Sequence, residues 1–184
     1  MNALKTLKHA TLAALLPTVL LAAAPVDSAF SGTEATSLTA LLGGKERPAI
    51  DQYNLTGKGL ALGGYDPVAY FPEGGGKAKE GHKSLHATHR GVTYRFSSRK
   101  NKKLFLEDPD RFEPLYGGWC AYGMTQGGKF EVDPANFLIE DGHLMLFYKG
   151  QVDTREKWEE EGSETLQPKS DAMWKKLLSH KESR

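Results

Sequence analysis

From His82 to Phe96 the chain takes on a period of two: Val92, Tyr94 and Phe96 are apolar, and Thr93 and Arg95 between them are polar. Alternation of this kind marks a half-buried strand, and Arg90-Gly91 supplies a tight turn behind it, so the segment predicts a β-hairpin. A second hairpin is predicted where Phe137-Leu-Ile139 and Leu144-Met-Leu-Phe-Tyr148 flank Asp141-Gly142, a pair suited to a two-residue turn. Between the hairpins, Ser97 or Ser98 caps a helix running to about Glu107, with Leu104 and Phe105 turned inward and Asn101 and Lys102 outward. Asp108-Pro109 opens a further short turn that carries Phe112. Upstream, Asp66-Pro67 is a helix-start signal, an N-cap acid followed by proline at the first helical position. The turn it opens presents Val68, Ala69, Tyr70 and Phe71, and Glu73-Gly-Gly-Gly76 ends it. Beyond Tyr148 the chain reads as amphipathic helix, with Trp158 and Trp174 as packing anchors. Together these elements predict an α+β domain: two β-hairpins pair into a small antiparallel sheet, and several helices cover one side.

The N-terminal pattern is different. Lys5 and Lys8 precede the apolar run Ala10-Thr-Leu-Ala-Ala-Leu-Leu-Pro-Thr-Val-Leu-Leu-Ala-Ala-Ala24, and small residues follow. A basic start, a short apolar stretch and small residues predict a secretory signal peptide, residues 1–28, cleaved after Ala23 or Ser28. The run is too short to span a bilayer core of ~30 Å comfortably, and Pro17 interrupts it. No second apolar run follows, so the mature chain is expected to be soluble, without a membrane span, and periplasmic or secreted. Residues 29–58 mix Ser, Thr, Gly and Ala with little pattern and are expected to form a loosely ordered arm. The globular domain is expected over residues 59–180.

Charge narrows the function classes. The formal net charge of the 184 residues is +1, and loss of the basic leader leaves the protein near neutral. Such a chain has no electrostatic case for binding nucleic acid. The basic run Arg99-Lys-Asn-Lys-Lys103 and the acidic Glu159-Glu160-Glu161 both read as solvated helix faces.

Cysteine usage singles out one residue. Exported domains normally pair their cysteines, and this chain has only Cys120, so no internal disulfide can form. Gly117-Gly118 before it permits a sharp turn and a close backbone approach. If a helix begins at Gly118 or Trp119, Cys120 lies in its first turn, where free N–H groups favour a thiolate. The competing account is a small buried hydrophobe wedged between Trp119 and Tyr122. The histidines offer less. His82, His86 and His89 would line one face of a helix and suit a metal there. On the predicted strand, His86 and His89 point to opposite faces, and His82 and His86 lie ~13 Å apart. His143 reads as a turn residue. No Gly-x-Ser-x-Gly elbow, His-Glu-x-x-His pair or phosphate-binding loop is present.

Gly64-Tyr-Asp-Pro-Val-Ala-Tyr-Phe71, Tyr94-Arg-Phe-Ser-Ser98, Leu104-Phe105 and Asp108-Pro109 resemble the YHS domain. Tyr116-Gly-Gly-Trp-Cys-Ala-Tyr122, Asp133-Pro134, Asp141-Gly142 and Trp174 are similar to one exported branch of that family. The resemblance implies a choice. Metal-linked members carry several core cysteines, but here those places hold Ala69, Ser97 or Ser98, and Asn101, so no thiolate cage for a soft metal remains. In the exported branch the position matching Cys120 is cysteine or selenocysteine, which implies a nucleophilic or redox centre.

Three functions follow as expectations. The first is a thiol-based redox role at Cys120, flanked by Trp119 and Tyr122, which requires an external thiol or redox partner to resolve the oxidised sulfur. The second is binding of copper or another soft metal by Cys120 and Met124, which share a helix face, with a histidine as third ligand. The third is a non-catalytic module that binds a partner through an aromatic groove of Tyr65, Tyr70, Trp119 and Tyr122. Asp66 and Tyr70, in the other strong motif, are further candidate binding residues, although a helix cap accounts for Asp66 equally well.

Overall fold

The computed structural model describes Arg47 and residues 49–179, and the expected signal peptide and most of the arm lie outside the described residues. The class is α+β: six strands and five helices are present among the described residues. The strands are β1 (Leu55–Thr56), β2 (Leu60–Ala61), β3 (His82–His89), β4 (Val92–Phe96), β5 (Asp133–Glu140) and β6 (His143–Phe147). The helices are α1 (Arg99–Glu107), α2 (Pro109–Phe112), α3 (Ala121–Thr125), α4 (Thr154–Glu161) and α5 (Ser163–Ser179). None of them is long and apolar enough to cross a membrane.

Both hairpins form at the expected turns. Arg90 and Gly91 have φ of 47° and 82°, and Asp141 and Gly142 have 49° and 77°. Positive φ at both central residues matches the right-handed twist of the flanking strands. The hairpins do not join one sheet, however. β3 and β4 belong to a four-stranded sheet ordered β1-β2-β4-β3, in which β2 pairs with β4 in parallel, while β5 and β6 form a separate pair. The cause is visible at β6, where Pro114 bridges Leu144 and Cys120 bridges Leu146. The segment 114–120 therefore occupies the edge that the other hairpin would have needed.

β6 also divides the interior. Its side chains alternate faces: Leu144 and Leu146 enter one core with Phe71, Phe96 and Phe105, whereas Met145 and Phe147 enter a second with Met124 and Trp158. Four consecutive buried residues in β6 follow directly, because both of its faces are covered.

Three local expectations change. Asp66-Pro67 opens a turn over Pro67–Tyr70 rather than a helix, and all of Val68–Phe71 is buried. Asn101, expected to face outward from α1, is 3% exposed because its side chain is drawn to a buried carboxylate. Residues 49–58 are not loose: Trp119 Nε1 donates to Gln52 O at 2.7 Å, and Asn54 N–H donates to Gly117 O at 2.9 Å. The Tyr53 ring also meets Trp174 edge-on at 5.2 Å. These partners are remote in sequence, so no local period announces them.

Candidate functional site

Cys120 is placed by the turn before it. Tyr116, Gly117 and Gly118 take consecutive positive φ values of 56°, 60° and 87°. A Cβ at Gly117 would come within 2.7 Å of Trp174 and 2.9 Å of Tyr53, so that position needs glycine for close approach as well as conformation. The chain then extends for two residues, and Cys120 caps α3. Its N–H donates to Phe130 O at 3.1 Å, and its bridge to Leu146 sets the sulfur beside the end of β6.

The sulfur has no exposed surface, and its surroundings are polar in a specific way. Sγ accepts from Gly123 N–H and from Tyr148 N–H, each at 3.4 Å, and lies 3.4 Å from Thr154 Oγ1. Thr154 has a single hydroxyl proton and donates it to Tyr148 O at 2.9 Å. The neutral thiol therefore accepts twice and donates its own proton to Thr154. A sulfur carrying negative charge keeps both backbone donors, and Thr154 can turn its proton toward it. Two sequence-remote segments thus converge on one atom that is already satisfied when neutral and has donors ready when charged.

Above the sulfur lies a cavity of about 470 Å³, whose lining includes Tyr122, Gln126, Phe130, Tyr148 and Val152. Phe130, Val152 and Tyr148 are 50%, 47% and 37% exposed and form its rim. Glycines shape these walls. A Cβ at Gly123 would lie 2.5 Å from the Phe130 ring, and one at Gly150 would lie 2.0 Å from the Tyr148 hydroxyl.

Of the residues singled out in the sequence, Cys120 and Tyr122 share this cavity. Tyr122 donates its hydroxyl to Glu161 at 2.8 Å, and that bond, with burial and the neighbouring acidic charge, raises its pKa. Trp119 supports the site from behind, bonded to Gln52 and covered by Lys129 Nζ at 5.7 Å from the ring centroid. Met124 packs in the second core with Met145 and Trp158, and no histidine lines the cavity. Asp66 and Tyr70 stand elsewhere. Asp66 is a buried staple: its carboxylate accepts from Val68 N–H (3.0 Å), Ser97 N–H (2.8 Å), Ser97 Oγ (2.7 Å) and Asn101 Nδ2 (2.7 Å). Tyr70 sits in the first core, its ring edge-on to Phe137 at 4.8 Å. Burial, then the neighbouring Tyr65, Asp133 and Asp66, push its pKa up, so the phenol stays neutral. Phe130, Tyr148 and Thr154 carry no mark of the site in the sequence, because each reaches Cys120 from a different segment.

A further group also comes together through the fold. His89, Asp110 and Glu113 hold ligand-type atoms within 4.8 Å of one another. His89 Nε2 lies 3.0 Å from Asp110 Oδ1, and this hydrogen bond holds the Asp110 carboxyl below its usual range. Arg90 reaches Asp110 at 3.5 Å, Arg47 pairs with Glu113, and Tyr94 donates to Glu113 at 2.9 Å. Two guanidinium groups already balance the two carboxylates, so the group is an ion-pair cluster tying Arg47 to the domain. Comparison with protein-family models, curated proteins and solved structures finds no match for this chain.

Proposed function

We propose that this chain is an exported, YHS-like protein in which Cys120 works as a redox thiol. The observation that carries the proposal is the convergence of Gly123 N–H, Tyr148 N–H and the Thr154 hydroxyl on one sulfur at the end of a cavity. A merely packed cysteine needs only apolar neighbours, whereas these groups can hold charge developing on the sulfur. In the proposed cycle the sulfur attacks a peroxide oxygen, the O–O bond breaks, and the cysteine becomes a sulfenic acid while the thiol proton leaves on the departing oxygen. An external thiol then condenses with the sulfenic acid, releasing water and forming a mixed disulfide. A second external thiol takes the first as a disulfide and restores Cys120. Both reductants come from outside because the chain has no second cysteine. Turnover requires the walls of the cavity to part over the sulfur, since it is closed off from solvent.

The test is to treat the folded protein with dilute hydrogen peroxide in the presence of dimedone and locate the adduct by mass spectrometry. The adduct is expected on Cys120 and absent from Cys120→Ser. A thiol that is modified only after unfolding would remove the redox role. The exposed Phe130, Tyr148 and Val152 would then favour the partner-binding module, for which Cys120→Ser is silent.

A further inference from the structure

Resting on the redox role of Cys120, we infer that the cavity selects its oxidant and that the preferred substrate is a neutral alkyl or aryl hydroperoxide rather than hydrogen peroxide. The size of the space is the first reason. Small-molecule sites commonly measure ~300–1,000 Å³, and the cavity of about 470 Å³ falls within that range, far beyond the need of a diatomic oxygen fragment. Its chemistry is the second reason. No charged side chain lines it. An anionic substrate would find no counter-ion there, while a hydrocarbon group would replace water on Phe130, Tyr148 and Val152.

The rim is the third reason. Three of the four exposed large hydrophobic residues among the described residues gather at this mouth, and only Leu106 lies apart from it. The walls are also specified rather than incidental, since Phe130 rests against Gly123 and Gly128, and Tyr148 folds over Gly150, where a Cβ would collide. The reactive group completes the case. A lone thiol beside hydrogen-bond donors suits cleavage of a weak O–O bond, because it supplies both the attacking electron pair and the proton for the departing oxygen. In the step, sulfur bonds to the terminal peroxide oxygen, the O–O bond breaks, and the alkoxide takes the thiol proton. Cys120 and the hydroperoxide become a sulfenic acid and an alcohol, with the sulfur oxidised by two electrons and the peroxide reduced by two.

The experiment compares oxidation of Cys120 in the full chain by cumene hydroperoxide and by hydrogen peroxide, read as sulfenic acid by quenched mass spectrometry. Each rate is divided by that of free cysteine with the same oxidant. A normalised preference of at least about tenfold for the aryl hydroperoxide is expected, since a single methylene in an apolar pocket can supply that discrimination. Val152→Glu, at an exposed loop position, should bring the ratio toward one. A smaller preference in the wild-type protein overturns the substrate class while leaving Cys120 as a redox thiol. Failure of both oxidants to modify the folded protein overturns the redox role itself.

Discussion

Replacement of Asp66 by alanine removes one acceptor from four donors. The carboxylate has no exposed surface and joins the turn at Val68, the end of β4 at Ser97 and helix α1 at Asn101. In Asp66→Ala, the Val68 N–H and the Asn101 amide are left as buried donors, and each orphan costs about 1–3 kcal/mol. The Ser97 groups are partly buried and recover some bonding from water. Deleting the carboxylate also relieves its own desolvation, which offsets part of the loss. A net destabilisation of about 3 kcal/mol is therefore expected. With a urea m-value of about 1–3 kcal/mol/M, the unfolding midpoint falls by about 1–3 M. Asp66→Asn retains one acceptor oxygen but sets an NH₂ group among donors, so its midpoint should fall between the two. Asn101→Ala withdraws a donor instead of the acceptor and should cost less than Asp66→Ala. Equilibrium urea unfolding followed by tryptophan fluorescence measures all three. A loss below about 1 kcal/mol for Asp66→Ala would refute the staple, because water would then be replacing the carboxylate freely.

Three further outcomes are expected. Gly117→Ala combines a left-handed backbone with a Cβ close to both Trp174 and Tyr53, so it should destabilise by about 2–4 kcal/mol in thermal or urea unfolding. Gly127→Ala, at φ 82° with open space around it, should cost only about 1 kcal/mol. Asp153 gives a pH dependence: burial raises its pKa, but bonds from the Asn136 amide, Lys149 and the Arg155 N–H outweigh that and hold the carboxyl at about 2. Because this value lies below the unfolded ~3.9, the stabilisation is complete above about pH 4 and is lost as pH falls toward about 2. Thermal midpoints of the wild type and Asp153→Asn should therefore converge across that window, and a constant difference down to pH 2 would contradict the assignment.

What could be read in the chain was local. Arg90-Gly91 and Asp141-Gly142 announced their hairpins because a two-residue turn needs positive φ at both positions, and Ser98 announced α1 because its oxygen accepts Asn101 N–H at 3.0 Å. Asn101 carries no local sign of burial, since only the arrival of Asp66 from another segment gives a polar residue reason to turn inward. The separation of the two sheets was hidden for a related reason: whether 114–120 or a hairpin takes the edge of β6 is a competition between distant pieces of backbone. Cys120 stood out by composition. Its partners did not, because Gly123, Tyr148 and Thr154 carry no mark of sulfur binding until β6 and the start of α4 are brought beside it. His89 likewise looked isolated on its strand, because Asp110 and Glu113 come from α2 and the segment after it.

The edge-on pair of Tyr53 and Trp174 couples the earliest described stretch to the final helix. The Asn54 bond to Gly117 and the Gln52 bond to Trp119 belong to the same corner, and Gly117 lies against both rings. During synthesis this corner cannot close until α5 has emerged, because one of its two rings is still missing. A chain without Trp174 has no ring to set against Tyr53, so this contact between sequence-distant segments carries a large loop-closure cost and belongs to the late steps of folding.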